Sequence, residues 1–264
     1  MAESRLVSLG AGVMPEFPAE NVVYAAATAG FNAAGIWCEP LAWDSQRTRA
    51  VRAALEDTGI CPLDLEVIWF KPGESLSTHD AMIDVALELG VRNVLCVSSE
   101  PDITRTKQRF EHLCRQAEGS ALRIVLEFLA ITEVRSLQQA LQVVQEVAHP
   151  AGGILVDALH LYRTGSCAED LAAIDPQLMP YIQLCDASAT LRDRSPEGLI
   201  EDALYLRQMP GDGDLLLTAI LDQLNPHLPL SMEIRSRALM QQTEGDAVAR
   251  AVSVFEATQR FLKI

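Results

Sequence analysis

Short apolar runs alternate along the chain with longer segments whose apolar positions return every three or four residues. The first pattern suits a strand buried on both faces and the second a helix laid against it; their alternation is the mark of parallel βα units. The pattern predicts strands over Leu6–Leu9, Phe31–Cys38, Leu63–Trp69, Asn93–Val97, Arg123–Phe128, Gly153–Val156, Tyr181–Cys185 and Leu230–Ile234. Between them it predicts helices over Ala19–Ala29, Asp44–Asp57, Asp80–Leu89, Thr106–Glu118, Ser136–Val147, Ala168–Ala173, Leu215–Leu224 and Asp246–Phe261. Asp44 or Ser45 is the candidate cap of the second helix, and Gly30, Gly59 and Gly90 each stand where a helix should stop.

Eight such units in succession, with no Gly-x-Gly-x-x-Gly turn, favour closure into one α/β (β/α)8 barrel, the TIM barrel, over an open doubly wound sheet. The length of 264 residues agrees, since a closed barrel takes about 250. No Gly/Ser-rich or Pro-rich run long enough for a linker interrupts the chain, so residues 1–264 read as a single domain.

With 49% hydrophobic and 22% charged residues the chain can bury a sizeable core. Its formal charge of -15 lacks the basic footprint of a phosphate-backbone binder, which argues against nucleic acid as a ligand. The six cysteines form no Cys-x-x-Cys pair and several fall in apolar runs, as expected of reduced core thiols in a cytoplasmic protein. Met1 to Gly12 lacks the basic and apolar regions of a signal peptide, and no window reaches the roughly 18 apolar residues of a membrane span, so no membrane association is expected.

The informative residues are acids that break apolar strands near their carboxyl ends, the face on which such barrels carry their sites. Glu127 closes Arg-Ile-Val-Leu-Glu, Asp157 closes Ile-Leu-Val-Asp, Asp186 follows Ile-Gln-Leu-Cys, and Glu233 interrupts Leu-Ser-Met-Glu-Ile. Carboxylates converging in one mouth repel unless a cation holds them, and a hard divalent metal answers that need.

These residues resemble a known pattern. Asp157-Ala-Leu-His160 matches an Asp-x-x-His signature, Arg207-Gln-Met-Pro-Gly-Asp-Gly213 an Arg-x-x-Pro-Gly-x-Gly loop, and both stand in order between Glu127 and Glu233. The set resembles the xylose-isomerase-like TIM barrels, the sugar-phosphate isomerase/epimerase group, from Gly10 to the last helix. The resemblance implies one divalent metal held by Glu127, Asp157, Gln183 and Glu233. Many relatives carry histidine where this chain has Gln183; a carbonyl oxygen there leans the site toward Mn²⁺ or Mg²⁺ and away from Zn²⁺. Glutamine at this place also resembles the 3-dehydroshikimate dehydratases of the family.

By the same resemblance the expected activity is a metal-dependent isomerase or epimerase acting on a ketose, cyclitol or related polyol carbonyl compound through an enediolate. A 3-dehydroshikimate-type dehydratase is the close alternative, and an inactive barrel serving as a binding subunit a further one. Glu127, Glu233 and His160 are the candidates for proton transfer. Arg207 would clamp a substrate oxygen or carboxylate, with Trp37, Glu66, Trp69, Asp186 and Arg235 also facing the substrate. His79, His112, His149 and His227 read as structural. Specificity is expected to lie in loops such as Ala187–Met209, and barrels of this type commonly pair, which leaves a homodimer open.

Overall fold

The computed structural model describes residues 5–264. Eight parallel strands close into a barrel in sequence order: β1 (Val7–Leu9), β2 (Ala33–Trp37), β3 (Cys61–Phe70), β4 (Asn93–Ser98), β5 (Arg123–Glu127), β6 (Gly152–Asp157), β7 (Ile182–Leu184) and β8 (Leu230–Met232). Closure comes from β1 pairing with β8, Leu9 opposite Met232. Every expected strand is present, five of them trimmed by one to three residues, whereas β3 and β6 run longer at both ends and β4 at its carboxyl end.

The alternation of side chains across each strand divides the core in two. Ile124, Leu126, Ile154, Val156, Ile182, Leu184, Leu230 and Met232 point outward to the helices. Leu63, Leu95, Val97, Val125, Leu155 and Tyr181 fill the barrel interior. Inward parity two residues beyond Val125 and Leu155 therefore falls on Glu127 and Asp157, so the strand period alone aims both acids into the barrel.

The surrounding helices are α1 (Ala19–Ala29), α2 (Ser45–Thr58), α3 (Ser77–Leu89), α4 (Ile103–Gln116), α5 (Leu137–Val147), α6 (Ala158–Arg163), α7 (Pro196–Tyr205), α8 (Leu217–Asp222), α9 (Arg237–Thr243) and α10 (Ala247–Leu262). In α4 the buried positions Thr106, Phe110, Leu113 and Cys114 make one apolar stripe. The Asp44 side chain accepts from the Arg47 amide at 2.9 Å and caps α2, a contribution of about 1 kcal/mol. Gly30, Gly59 and Gly90 end α1, α2 and α3 in the left-handed conformation, as expected. The helix expected at Ala168–Ala173 is a 3-10 turn, and Leu215–Leu224 shrinks to α8.

Helices α6, α7 and α9 were not anticipated. Helix α7 lies inside the stretch read as a specificity loop, capped by Ser195 with Pro196 in its first turn. Among the described residues no helix is long and apolar enough to cross a membrane.

Candidate active site at the carboxyl ends of the strands

A cavity of about 220 Å³ opens at the carboxyl face of the barrel. Glu127, Gln183, Glu233, His160, Arg207, Glu66, Trp37, Trp69 and Arg235 all line it, so most of the expected site residues meet in one place. Strand register does much of this: Trp37 stands opposite Glu66, and Gln183 pairs with Asp157 on one side and Ser231 on the other.

Asp157 takes a different place from the one expected. It is fully buried, does not line the cavity, and has both oxygens engaged: Oδ1 accepts from the His160 amide at 3.1 Å, capping α6, and Oδ2 accepts from Arg207 Nη1 at 2.6 Å. Burial alone would raise its carboxyl, but the Arg207 and His160 charges outweigh it and hold it below the usual range.

Arg207 likewise serves as a hub rather than an open clamp. Its Nε donates to Ala203 O at 2.8 Å, Nη1 also to Glu233 O at 3.2 Å, and Nη2 reaches His160 Nε2 at 3.4 Å. A guanidinium's fixed fork suits this bridging of β6, β8, α6 and α7.

Asp186, expected to face substrate, organises the next loop instead. Oδ1 accepts from the Ala187 and Leu215 amides and Oδ2 from the Gly211 amide, so the carboxylate is spent on backbone. A Cβ at Gly213 would fall 2.4 Å from Asp186 Oδ1, and Gly211 has φ +89°, which explains the glycines of the Pro-Gly-Asp-Gly turn. The bond from Asp186 to this turn also anchors the chain just after Arg207.

His160 is buried on α6, with Nε2 4.0 Å from Glu127 Oε1. Burial pushes its imidazole down to about 4, with Arg207 acting in the same sense and Asp157 against it. The ring is therefore neutral near pH 7, and the Arg207 donor leaves the ring proton on Nδ1.

Glu233 lies on glycine backbone: a Cβ at Gly10 would fall 2.1 Å from its Oε2, and one at Gly12 2.0 Å from its Oε1. Burial raises its carboxyl to about 7 against the pull of Arg207 and Arg235. Glu127 and Glu66 are also raised, again chiefly by burial, with neighbouring carboxylates adding to it. Asp64, one turn of the pleat below Glu66, is fully buried and raised to about 7 by burial and by Glu233. Sequence reasoning missed Asp64, because it sits within an apolar strand with no motif around it.

The oxygen donors suit a hard divalent cation. Glu233 Oε2 is buried without a partner, and the Gln183 amide nitrogen donates to Glu66 Oε1 at 2.6 Å, leaving its carbonyl oxygen for another ligand. Glu127, Glu233 and the Gln183 carbonyl are the groups that would hold such an ion. Among the described residues no three His, Cys, Asp or Glu are grouped to hold a metal, and Asp157 is turned to Arg207.

The remaining histidines all lie outside the cavity: His79 is buried against Phe70, His112 and His149 pair with Asp80 and Glu118, and the His227 amide donates to Asn225 Oδ1.

Fold and site together define a (β/α)8 barrel with a carboxylate-lined cavity at its carboxyl face. Residues 23–258 match the family model described as xylose isomerase-like TIM barrel, and the chain belongs to that family. A curated relative, 3-dehydroshikimate dehydratase from Pseudomonas putida (strain KT2440), is 25% identical over 244 residues, 84% of this chain and 36% of that protein. The chain thus spans about a third of the length of the curated relative it matches.

Among solved structures, a xylose isomerase-like TIM barrel/4-hydroxyphenylpyruvate dioxygenase fusion protein superposes with TM-score 0.81 at 21% identity, over 98% of this chain and 43% of that one. An IolI protein with a bound zinc atom gives 0.79 at 19%, over 98% of both chains. A D-allulose 3-epimerase from Methylomonas sp., in complex with D-allulose, gives 0.71 at 16%, again over 98% of both. At these identities the structures speak for the fold.

Proposed function

We propose that this barrel is a lyase of the 3-dehydroshikimate-dehydratase type, taking a proton from the carbon beside a carbonyl and expelling a β-hydroxyl. The observation that carries this reading is a neutral imidazole at the edge of a cavity whose floor is acidic and whose walls are apolar. Val67, Leu95, Val97, Leu129, Ile131 and Leu204 supply those walls. A polyol would strand its hydroxyls against them, whereas one face of a partly unsaturated ring would not. The curated relative and the glutamine at position 183 support the same choice.

In this reading His160 Nε2 gives up its long 3.4 Å contact with Arg207 to take the proton from the carbon next to the carbonyl, and the C–H electron pair forms the new C=C bond. The C–O bond to the β-hydroxyl breaks, and the imidazolium returns its proton to that oxygen, which leaves as water. Arg207 holds the Asp157 carboxylate that caps the helix carrying His160, and Trp37, Trp69 and the aliphatic walls keep bulk water off the ring. A divalent cation held by Glu127, Glu233 and the Gln183 carbonyl would supply a Lewis acid at the substrate carbonyl. All-oxygen donors favour Mn²⁺ or Mg²⁺, while the zinc in the IolI protein favours the opposite choice, so all three ions belong in the assay.

The test is to strip the protein with chelator and reload it with Mn²⁺, Mg²⁺ or Zn²⁺. It is then incubated with 3-dehydroshikimate, and the ultraviolet absorbance of the aromatic product is followed. An absorbance rise in at least one arm is expected; a flat trace in all of them removes this reading.

A second reading is an isomerase or epimerase on a ketose, cyclitol or polyol carbonyl compound. It is favoured by Glu127 and Glu233 approaching the cavity from β5 and from the exit of β8, a pair of carboxylates that could serve two faces of one carbon.

A further inference from the structure

Two guanidinium groups line the cavity, and their circumstances differ. Arg207 is saturated by Asp157, Ala203 and Glu233 and has little left to offer a ligand. Arg235 is half-buried at the rim and makes no side-chain hydrogen bond or ion pair among the described residues. Its guanidinium carbon lies 5.5 Å from the centroid of the Trp37 ring, and its charge acts on the Glu233 carboxyl without a hydrogen bond to it. An indole covering one face of the group leaves its N–H edge free, which is the edge that receives a carboxylate with two parallel hydrogen bonds.

The backbone around Arg235 is held firmly. The Glu233 amide donates to Leu184 O at 2.9 Å, Ser236 bridges to Leu206, and the Ser236 side chain caps α9. Arg235 shares inward parity with Glu233, one step further out, so a ligand on the acid floor has this cation above it. In a chain of net charge -15, an unpaired guanidinium inside the one acidic cavity described is hard to explain as a solubility device.

We infer that Arg235, seated on Trp37, binds the carboxylate of the substrate and restricts the site to ring compounds that carry one. This rests on the lyase reading for the reaction, but not for the recognition. It moves the clamp expected at Arg207 to a residue whose donors are free. Arg235→Gln should then raise KM while leaving kcat nearly unchanged, because the carboxylate is bound alike in ground and transition states.

The test compares 3,4-dihydroxybenzoate with catechol, the same ring without its carboxylate, by calorimetry and by tryptophan fluorescence. The wild type should bind the acid more tightly by on the order of 10- to 100-fold. Arg235→Gln should abolish that preference while leaving catechol binding alone, and Arg235→Lys should restore part of it. A thermal midpoint close to the wild type's shows that the variants are folded.

A wild type that binds the two ligands equally, or binds neither, overturns the inference. So does an Arg235→Gln variant that weakens both ligands alike. If the preference is present but 3-dehydroshikimate is not dehydrated, the clamp stands and the reaction class falls. If dehydration proceeds with KM unchanged in Arg235→Gln, the reaction stands and the clamp falls.

Discussion

Replacing Arg207 by methionine removes the cation from the Asp157 pair while keeping most of the side-chain volume. The pair is 2.6 Å across, with the two side chains 6% and 0% exposed, so water cannot take over the role of the lost partner. Breaking a buried pair from one side costs roughly 3–5 kcal/mol, because the remaining carboxylate is stranded. At about 2–4 °C per kcal/mol for a chain of this length, the midpoint of thermal unfolding should fall by roughly 6–20 °C. Asp157→Asn on top of Arg207→Met removes the stranded charge, and most of the loss should return. The exposed pair Arg237–Glu201, 48% and 49% accessible, serves as control; Arg237→Met should cost about 0–1 kcal/mol. The sign with pH follows from the lowered carboxyl of Asp157: the pair stabilises the wild type above the usual aspartate range, and that contribution fades as pH falls through the folded value. Urea or thermal unfolding of the four proteins decides the matter. A single variant that loses less than about 1 kcal/mol, with no rescue in the double variant, would refute the pairing.

Gly10 and Gly12 should respond unequally to alanine. At Gly12 the new methyl meets the far end of the flexible Glu233 side chain, so the fold should survive while Glu233 is displaced and both turnover and metal uptake are lost. At Gly10 it also meets Met232 O at 2.8 Å, so Gly10→Ala should cost roughly 1–3 kcal/mol of stability as well; equal midpoints for the two variants would count against this. For His160, the acid limb of the kcat/KM profile should fall near 4 instead of near the ordinary histidine value, since the base must be neutral. A folded-state value below the unfolded 6.5 also means that His160 costs stability as pH falls from 6.5 toward about 4; an NMR titration of the imidazole near 6.5 would contradict both statements.

The fold was legible because its signal is repetitive. Eight strand runs and the glycines that close α1, α2 and α3 each repeat the same local physics. Helix α7 escaped although Ser195-Pro196-Glu197 carries a cap, a first-turn proline and a first-turn acid that could have revealed it. The cavity residues were legible wherever strand parity fixes direction, as at Glu127, Gln183 and Glu233. Asp157 has the same parity, but its carboxylate is captured by an arginine fifty residues further along. No local pattern encodes that meeting; it depends on the turn that Asp186 ties down after Arg207.

Charge balance explains why these departures belong together. Asp64, Glu66, Glu127, Asp157 and Glu233 are each at most 6% exposed, and Arg207 is the buried guanidinium among them. One cation stabilises one acid, and it is given to Asp157, whose carboxyl alone of the five is held low. The other four can be buried only by taking up protons or by sharing a cation from outside. A divalent ion at Glu127, Gln183 and Glu233 would release protons as it bound, so its uptake should weaken as pH falls. Arg207 and the ion then have separate tasks: the arginine fixes the frame on which His160 stands, and the ion neutralises the acids that face the substrate.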